Sequence, residues 1–353
     1  MKKYILLACI AISCFSSLKA EDLKLWYKQP ATTWVEALPL GNSRMGVMVY
    51  GGTATEELQL NEETVWGGGP HRNDNPNALA ALPKVRELIF AGKGREAQDL
   101  MEKEFRTQRN GMPYQTIGSL MLHFPGHESV TDYYRDLDLN RAVATIRYRV
   151  NDVNYTREVF SSFTDNVVIV RLAADKPGKL SFTADYRSPL KISVERNKQK
   201  LILKAKGEAH EGVAGVIRLE NQTQVVAKGG KVKAFDDKIE VNGADTAIVY
   251  ISASTNFMNY RNVSGNESEK ASNYLSAALK RPYDEAIASH IAFYKKYFDR
   301  VTFNLPVTEA SKQETHLRVK HFSEGKDPSL AVLLYQYGRY LLISSSQPGG
   351  AGC

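Results

Sequence analysis

The chain has 353 residues, of which 43% are hydrophobic and 24% charged, with a formal net charge of +7 at pH 7. This length and apolar content allow a large hydrophobic core, and the small charge excess without a basic stripe argues against a nucleic-acid-binding protein. Two of the three cysteines, Cys9 and Cys14, fall in an apolar N-terminal segment, which leaves Cys353. We therefore expect no intramolecular disulfide, no metal site and no bound cofactor.

Residues 1–20 have the organisation of a secretory signal peptide. Two lysines precede an apolar run at 4–12, and residues 18–20 form a cleavage site. The apolar run is too short to span a bilayer, so we expect export to the periplasm or the cell exterior and no transmembrane segment. An alternative is a lipoprotein site at 11–14, which would anchor the chain at Cys14.

The stretch from 38 to 77 carries the densest functional signals. Before this stretch, the alternation of apolar and polar residues at 23–27 predicts a first strand. Apolar runs at 45–50 and 58–60 flank a glycine-rich turn at 51–53, which predicts a β-hairpin. The hairpin opens into a loop at 61–77.

This loop is the candidate binding surface. Glycines and a proline at 67–70 exclude regular structure there, and polar and aromatic side chains on a loop held by a rigid sheet are the usual layout of a binding site. The predicted substrate-binding residues are Asn61, Glu62, Trp66, His71 and Arg72. The alternatives are that Trp66 only covers a core and that His71 and Arg72 are solvated loop residues.

The period of the apolar residues changes between 78 and 106. Helical spacing interrupted at 91–94 predicts two helices, interpreted as an insertion that covers one end of a sheet. A polar loop follows at 108–116, and its Tyr114 and Gln115 would help to line a cleft if it lies beside the first loop.

From residue 118 the apolar residues recur at every second position, and predicted short strands follow one another without intervening helices. Such a density of strands separated by turn residues predicts a large antiparallel β-sandwich and excludes a parallel doubly wound fold. The predicted strands are 120–124, 133–139, 142–150, 153–160, 167–173, 179–186, 192–196, 201–205, 215–221, 223–227, 231–235, 238–241 and 246–253. The predicted turns include 151–152, 176–178, 228–230 and 242–243.

Helical spacing returns beyond residue 256. We predict helices at 268–280, 283–299 and 310–322, with an extended connector or last strand at 301–305. A final helix opens at 327–329 with a capping arrangement, and it is apolar on nearly every side. Such a helix is expected to be buried among other helices.

Several motifs resemble the signature of glycoside hydrolase family 95, the inverting α-L-fucosidase family that also includes α-L-galactosidases. They occur in order across nearly the whole chain after residue 20. The motifs are PLGNSRMG at 39–46, LNEETVW at 60–66, GGP at 68–70, GSL at 118–120, YRDLDL at 134–139, YTRE at 155–158 and YGRYLLI at 337–343.

The resemblance implies a domain organisation and a substrate class. Residues 21–265 would form the N-terminal β-sandwich, 266–326 a helical linker, and 327–353 the start of an (α/α)6 catalytic barrel. The expected partner is a fucosylated oligosaccharide. The family's catalytic asparagines and acids would lie beyond Cys353, so we expect little or no glycosidase activity from this chain alone.

The two adjacent acids of the loop do not replace that machinery. Glu62 and Glu63 would point to opposite faces of a strand, whereas inverting hydrolysis needs two carboxylates roughly 6.5–9.5 Å apart across one sugar. Three alternative functions stay open: a free-standing carbohydrate-binding or surface-assembly module, an α-L-galactosidase, and a phosphorylase with a similar sandwich.

Overall fold

The computed structural model describes residues 22–107, 109 and 111–348. The predicted signal peptide with Cys14, and Cys353, lie outside these residues. Two antiparallel sheets pack face to face. Their strands are β1 (Lys24–Tyr27), β2 (Leu38–Gly41), β3 (Met45–Val49), β4 (Thr55–Glu62), β5 (Gly118–His123), β6 (Thr131–Asp138), β7 (Val143–Val150), β8 (Val153–Ser161), β9 (Val168–Ala174), β10 (Leu180–Arg187), β11 (Ile192–Asn197), β12 (Lys200–Lys206), β13 (Arg218–Lys228), β14 (Lys231–Ala234), β15 (Lys238–Ala244) and β16 (Thr246–Thr255).

The order of the strands confirms the predicted antiparallel sandwich. One sheet has nine strands in the order β1-β6-β7-β8-β9-β16-β13-β12-β11, and the other has seven in the order β14-β15-β10-β5-β4-β3-β2. The core lies between them because alternate residues of each strand face inward. In β4, for example, Leu58 and Leu60 are fully buried while Gln59 and Asn61 lie on the other face. Burying each such leucine contributes roughly 1.5–3 kcal/mol.

The predicted hairpin is present, and the structure adds a strand to it. Strands β3 and β4 pair across the turn, with Met45 opposite Glu62 and Val49 opposite Leu58. The added strand is β2, which pairs with β3 at the edge of the seven-stranded sheet. A four-residue run containing Pro39 carries little strand signal, although proline is tolerated on an edge strand.

Two of the sequence predictions within the strands are wrong. Residues 215–221 and 223–227 do not form separate strands, because β13 runs through Gln222, which pairs with Ile202 on one side and Ser252 on the other. Residues 242–243 do not form a turn between strands. They form a β-bulge inside β15, where the register shifts and Gly243 has a φ of 66°.

Six helices occur within the described ranges. They are α1 (Ala78–Phe90), α2 (Gly94–Glu104), α3 (Glu267–Ala278), α4 (Tyr283–Phe298), α5 (Thr315–Lys320) and α6 (Ser329–Ser345). The two predicted helices are confirmed as the hairpin of α1 and α2, which packs on a small core of its own, Val85, Leu88 and Ala97. The interpretation that this hairpin covers one end of a sheet stays a prediction. Helices α3 and α4 pack on the nine-stranded sheet through a second apolar cluster that includes Phe160 and Leu275.

The single helix predicted at 310–322 is wrong, because tertiary contacts break it. A 3₁₀ turn at Glu309–Lys312 and another at Phe322–Glu324 flank the short α5. Just before and at the start of α5, Glu314 Oε2 accepts a hydrogen bond from Lys28 N at 2.8 Å, and Thr315 Oγ1 accepts one from Trp26 N at 2.9 Å. These side chains satisfy one donor of the edge strand β1 and one of the residue just after it.

The last helix begins as predicted but is only half buried. Asp327 Oδ1 accepts a hydrogen bond from Leu330 N at 3.2 Å and so caps α6. Leu333 and Tyr340 are each 1% exposed against the sandwich, whereas Leu334 is 69% exposed. Within the described residues, α6 therefore packs on the sandwich along one side only, and its burial among further helices stays a prediction. No helix in the described part of the chain is long and apolar enough to cross a membrane.

Candidate functional site

The turn between β2 and β3 docks onto the C-terminal end of α6. Ser43 N donates a hydrogen bond to the carbonyl of Ser344 at 2.6 Å, and the Tyr340 hydroxyl donates to the carbonyl of Pro39 at 2.6 Å. A Cβ at Gly41 would lie 2.8 Å from Ser344 O, so only glycine allows this approach. The turn and the helix end therefore form one continuous wall.

Asn42 holds the shape of that turn. Its Oδ1 accepts hydrogen bonds from the backbone N–H groups of Arg44 at 3.2 Å and Met45 at 2.7 Å, and its Nδ2 donates to Ser162 O at 2.7 Å. Ser43 takes a left-handed φ of 75°, which the capped turn stabilises.

Arg44 and Glu62 form a buried charged pair behind the turn. Arg44 Nη1 lies 3.6 Å from Glu62 Oε1 and donates to Ala253 O at 2.6 Å, while the guanidinium lies 4.5 Å from the centre of the Tyr274 ring. The carboxylate also accepts hydrogen bonds from the N–H and hydroxyl of Thr64 at 2.8 and 2.6 Å. Burial raises the pKa of Glu62 and lowers that of Arg44. Glu62 is thus a structural carboxylate directed into the protein.

Two aromatic residues stand beside this pair in a fixed geometry. The rings of Trp66 and Tyr114 meet edge to face with centroids 5.2 Å apart, and each residue is 43% exposed. Trp66 Nε1 donates to Glu63 O at 2.9 Å, and the Tyr114 hydroxyl donates to Glu62 O at 3.0 Å. Burial raises the pKa of Tyr114, which keeps this donor protonated. Residues 111–116 therefore lie beside the first loop, and Tyr114 but not Gln115 is among the residues that line the cavity described below.

The glycine run after Trp66 is required by close packing. Gly68 has a φ of 61°, and its N–H donates to Glu208 O at 2.7 Å. A Cβ at Gly69 would lie 2.3 Å from Val216 Cγ2, and one at Gly67 would lie 3.1 Å from Pro113 Cγ. Larger side chains would push the loop away from its neighbours and displace the tryptophan.

These elements enclose a cavity of about 600 Å³, which we call the main cavity. Its volume lies in the range of small-molecule sites, roughly 300–1,000 Å³. Its walls are the β2–β3 turn, the C-terminal end of α6, and the side chains of Asn61, Glu63, Trp66 and Tyr114. Among the described residues that line it, Glu63 is the only acid, and one carboxylate does not make the acid–base pair of inverting hydrolysis. In the whole described part of the chain, no three His, Cys, Asp or Glu residues lie close enough together to bind a metal ion.

The structure separates the five predicted binding residues. Asn61 and Trp66 line the main cavity, whereas Glu62 is buried behind it. His71 lines a smaller neighbouring cavity. Arg72 is exposed, pairs with Asp74 at 2.9 Å and lies outside both cavities. Glu62 and Arg72 are therefore not brought to the main cavity.

Sequence reasoning missed Glu63 and the β2–β3 turn as parts of the wall. Period-two alternation offered a signal for Glu63, since it follows Asn61 by two residues at the end of β4. No local pattern placed the turn beside α6, because the two segments are about 300 residues apart in the chain.

Two parts of the chain match known protein families. Residues 25–260 match the family described as "Glycosyl hydrolase family 65, N-terminal domain", and residues 282–352 match the "Glycosyl hydrolase family 95 catalytic domain". The first match covers more than half of the chain, so the chain belongs to the family of this N-terminal domain, and its C-terminal part is similar to the start of a family 95 catalytic domain. The sequence resemblance to family 95 is thereby confirmed.

Two similar proteins carry names of the fucosidase type. The Arabidopsis thaliana protein "Alpha-L-fucosidase 2" is 34% identical, and the match covers 94% of this chain and 43% of that protein. "Probable alpha-fucosidase A" of Aspergillus niger is 29% identical, covering 92% of this chain and 43% of that protein. The chain thus spans less than half the length of these two relatives.

A solved structure shares the fold at low sequence identity. The protein named "Putative kojibiose phosphorylase from human microbiome" superimposes with a TM-score of 0.50 at 10% identity, covering 88% of this chain and 42% of that one. This similarity supports the sandwich architecture.

Proposed function

We propose that this chain forms the N-terminal part of an inverting α-L-fucosidase that acts on fucosylated glycans. The observation that carries the proposal is the position of the main cavity. Its walls come both from the segment that matches the N-terminal domain and from α6, within the segment that matches the family 95 catalytic domain. Ligand sites occur preferentially at such junctions between domains.

The chemistry of the walls suits a neutral sugar. The apolar faces of a pyranose pack on aromatic rings, and Trp66 and Tyr114 present half-exposed rings whose polar atoms are already bonded. Hydroxyl groups need donors and acceptors, which the Asn61 amide and the Glu63 carboxylate supply. The described residues can therefore hold a sugar, but they contribute a single carboxylate to the main cavity. We expect the chain alone to bind without measurable turnover.

Two measurements on the purified chain test this proposal. The first is release of fucose from 2′-fucosyllactose, for which we expect none above the rate without protein. The second is binding of the same trisaccharide by saturation-transfer NMR. Trp66→Ala should weaken binding roughly tenfold, whereas Trp34→Ala, a matched change at a 56% exposed tryptophan outside the main cavity, should not. Robust turnover abolished by a change at 61–74, or binding insensitive to Trp66→Ala, would refute the proposal.

A carbohydrate-binding module is the second candidate function, favoured by the rigid and half-exposed pair of Trp66 and Tyr114. The two functions differ in selectivity. In a competition experiment, free L-fucose should displace the bound trisaccharide from a fucosidase module more readily than free L-galactose does. The reverse order would indicate an α-L-galactosidase. A general binding module should respond equally to both.

We also propose that the chain is exported through residues 1–20. Mass spectrometry of the protein recovered from its native host tests this. A mature N-terminus at Glu21 is expected, while a lipid-modified N-terminus at Cys14 would indicate the lipoprotein alternative.

A further inference from the structure

A second and smaller cavity adjoins the main cavity at Trp66. Its volume is about 270 Å³, close to the lower limit of ligand pockets, roughly 300 Å³. We call it the outer cavity. Trp66 belongs to the walls of both cavities, and the outer cavity adds two further rings, Phe257 and Tyr260, with His71 at its side. It has room for one sugar ring.

The loop that carries Phe257 and Tyr260 is held in place at its base. Asn256 is fully buried, and its Nδ2 donates to Val263 O at 2.7 Å, closing the loop on itself. Its Oδ1 accepts from Arg218 N at 2.7 Å, which ties the loop to β13. Tyr260, at the tip of this loop, is nevertheless 71% exposed. An exposed ring on an ordered loop binds a flat ligand at little conformational cost.

The polar lining indicates a neutral ligand with hydroxyl groups. His71 Nδ1 lies 2.8 Å from Gly69 O and must donate to it, because a carbonyl only accepts. In the neutral ring Nε2 is then an acceptor, suited to a sugar hydroxyl. No carboxylate, ammonium or guanidinium is among the described residues that line the outer cavity. The Arg261 guanidinium lies over one face of the Tyr260 ring, 4.9 Å from its centroid, so a sugar ring would stack on the opposite face.

We propose that the outer cavity is the subsite for the sugar ring next to the terminal sugar, on the leaving-group side of the bond that is cleaved. The terminal ring would lie in the main cavity, and the neighbouring neutral pyranose would cross the edge of Trp66 and stack against Tyr260. This inference rests on the proposed function, since it assumes that the main cavity holds the terminal sugar. It makes Tyr260 a specificity-determining residue for the aglycone.

Saturation-transfer NMR on the whole chain with 2′-fucosyllactose tests the inference, because it reports each ring of the trisaccharide separately. Tyr260→Ala should weaken trisaccharide binding fivefold to tenfold, reduce saturation of the galactose protons and leave the fucose protons saturated. Tyr260→Phe should behave as the unchanged chain because it keeps the ring. Phe90→Ala, at an 88% exposed residue on α1, is the matched control and should have no effect.

The possible outcomes separate the two proposals. If the fucose ring is saturated but the galactose ring is not, or if Tyr260→Ala leaves both rings and the affinity unchanged, the outer-cavity subsite is overturned while the proposed function stands. If no ring is saturated at millimolar trisaccharide, the main cavity is no sugar site and both proposals fail. Loss of galactose saturation in Tyr260→Ala alone supports the subsite.

Discussion

Acidification should destabilise this fold through His290, which lies on α4 and is 1% exposed. Its Nε2 lies 3.1 Å from the carbonyl oxygens of both Arg141 and Ala142, so that nitrogen carries the proton. Nδ1 is buried, with no hydrogen-bond partner among the described residues, and the ring stacks on Phe163 at 5.1 Å. A second proton at Nδ1 would bury a cation, and the cost of that burial exceeds the support from the nearby backbone groups of Arg141, Ala142 and Ser161. Burial accordingly lowers the pKa of His290 from 6.5 to about 4.

The size of the effect follows from linkage. A histidine whose pKa is lower in the folded state stabilises the fold fully above pH 6.5, and that stabilisation is lost as the pH falls towards about 4. Each pKa unit corresponds to about 1.36 kcal/mol. At pH 4.5, about two units below the unfolded value, His290 alone should reduce the free energy of unfolding by about 2.5 kcal/mol.

Urea unfolding of the unchanged chain and of His290→Gln isolates this contribution. Glutamine keeps an N–H donor but does not titrate, so the variant should lose about 2.5 kcal/mol less than the unchanged chain between pH ~7.5 and ~4.5. Between pH ~7.5 and ~8.5 the difference between the two proteins should be flat, which is the control. His127, whose pKa burial also lowers to about 4, should leave a similar loss in the variant. Identical pH dependence in the two proteins would refute the argument.

Three further changes test the construction of the site. Glu62→Ala should lower the free energy of unfolding, measured in urea, by about 3–5 kcal/mol, because it leaves the guanidinium of Arg44 buried without its countercharge. A decrease below about 1 kcal/mol would contradict the buried pair. Gly69→Ala should cost about 1–3 kcal/mol, since its Cβ would lie 2.3 Å from Val216 Cγ2, and should also weaken trisaccharide binding. Gly41→Ala places a methyl group 2.8 Å from a carbonyl of α6, so limited proteolysis should cleave α6 faster; an unchanged cleavage rate would show that the docking is unimportant.

The strands were largely predictable because their signal is local. Alternation of apolar residues depends only on neighbours in the chain, and it placed β3 and β5 to β10 to within two residues. The failures occur where partner strands override local turn chemistry. Gln222 continues β13 because strands on both sides pair with it, and Gly243 forms a bulge because the neighbouring strand β10 runs past it.

The site was predictable only in part. Asn61 and Trp66 were identified from their loop, and both line the main cavity. Glu62 lies on the same loop, yet it continues the buried face of Leu58 and Leu60 in β4 and pairs with Arg44 from across the hairpin. His71 lies instead in the outer cavity, whose far wall is a loop near Tyr260 that carried no functional signal in the sequence.

The sequence by itself determined the fold class and, through motifs spread over the chain, the family 95 resemblance. Periodicity and turn chemistry act over a few residues, so they survive in the linear sequence. Only the tertiary structure decided which side chains share a cavity. That choice depends on contacts such as Tyr340 with Pro39, which join segments about 300 residues apart, and no local pattern records how distant segments pack.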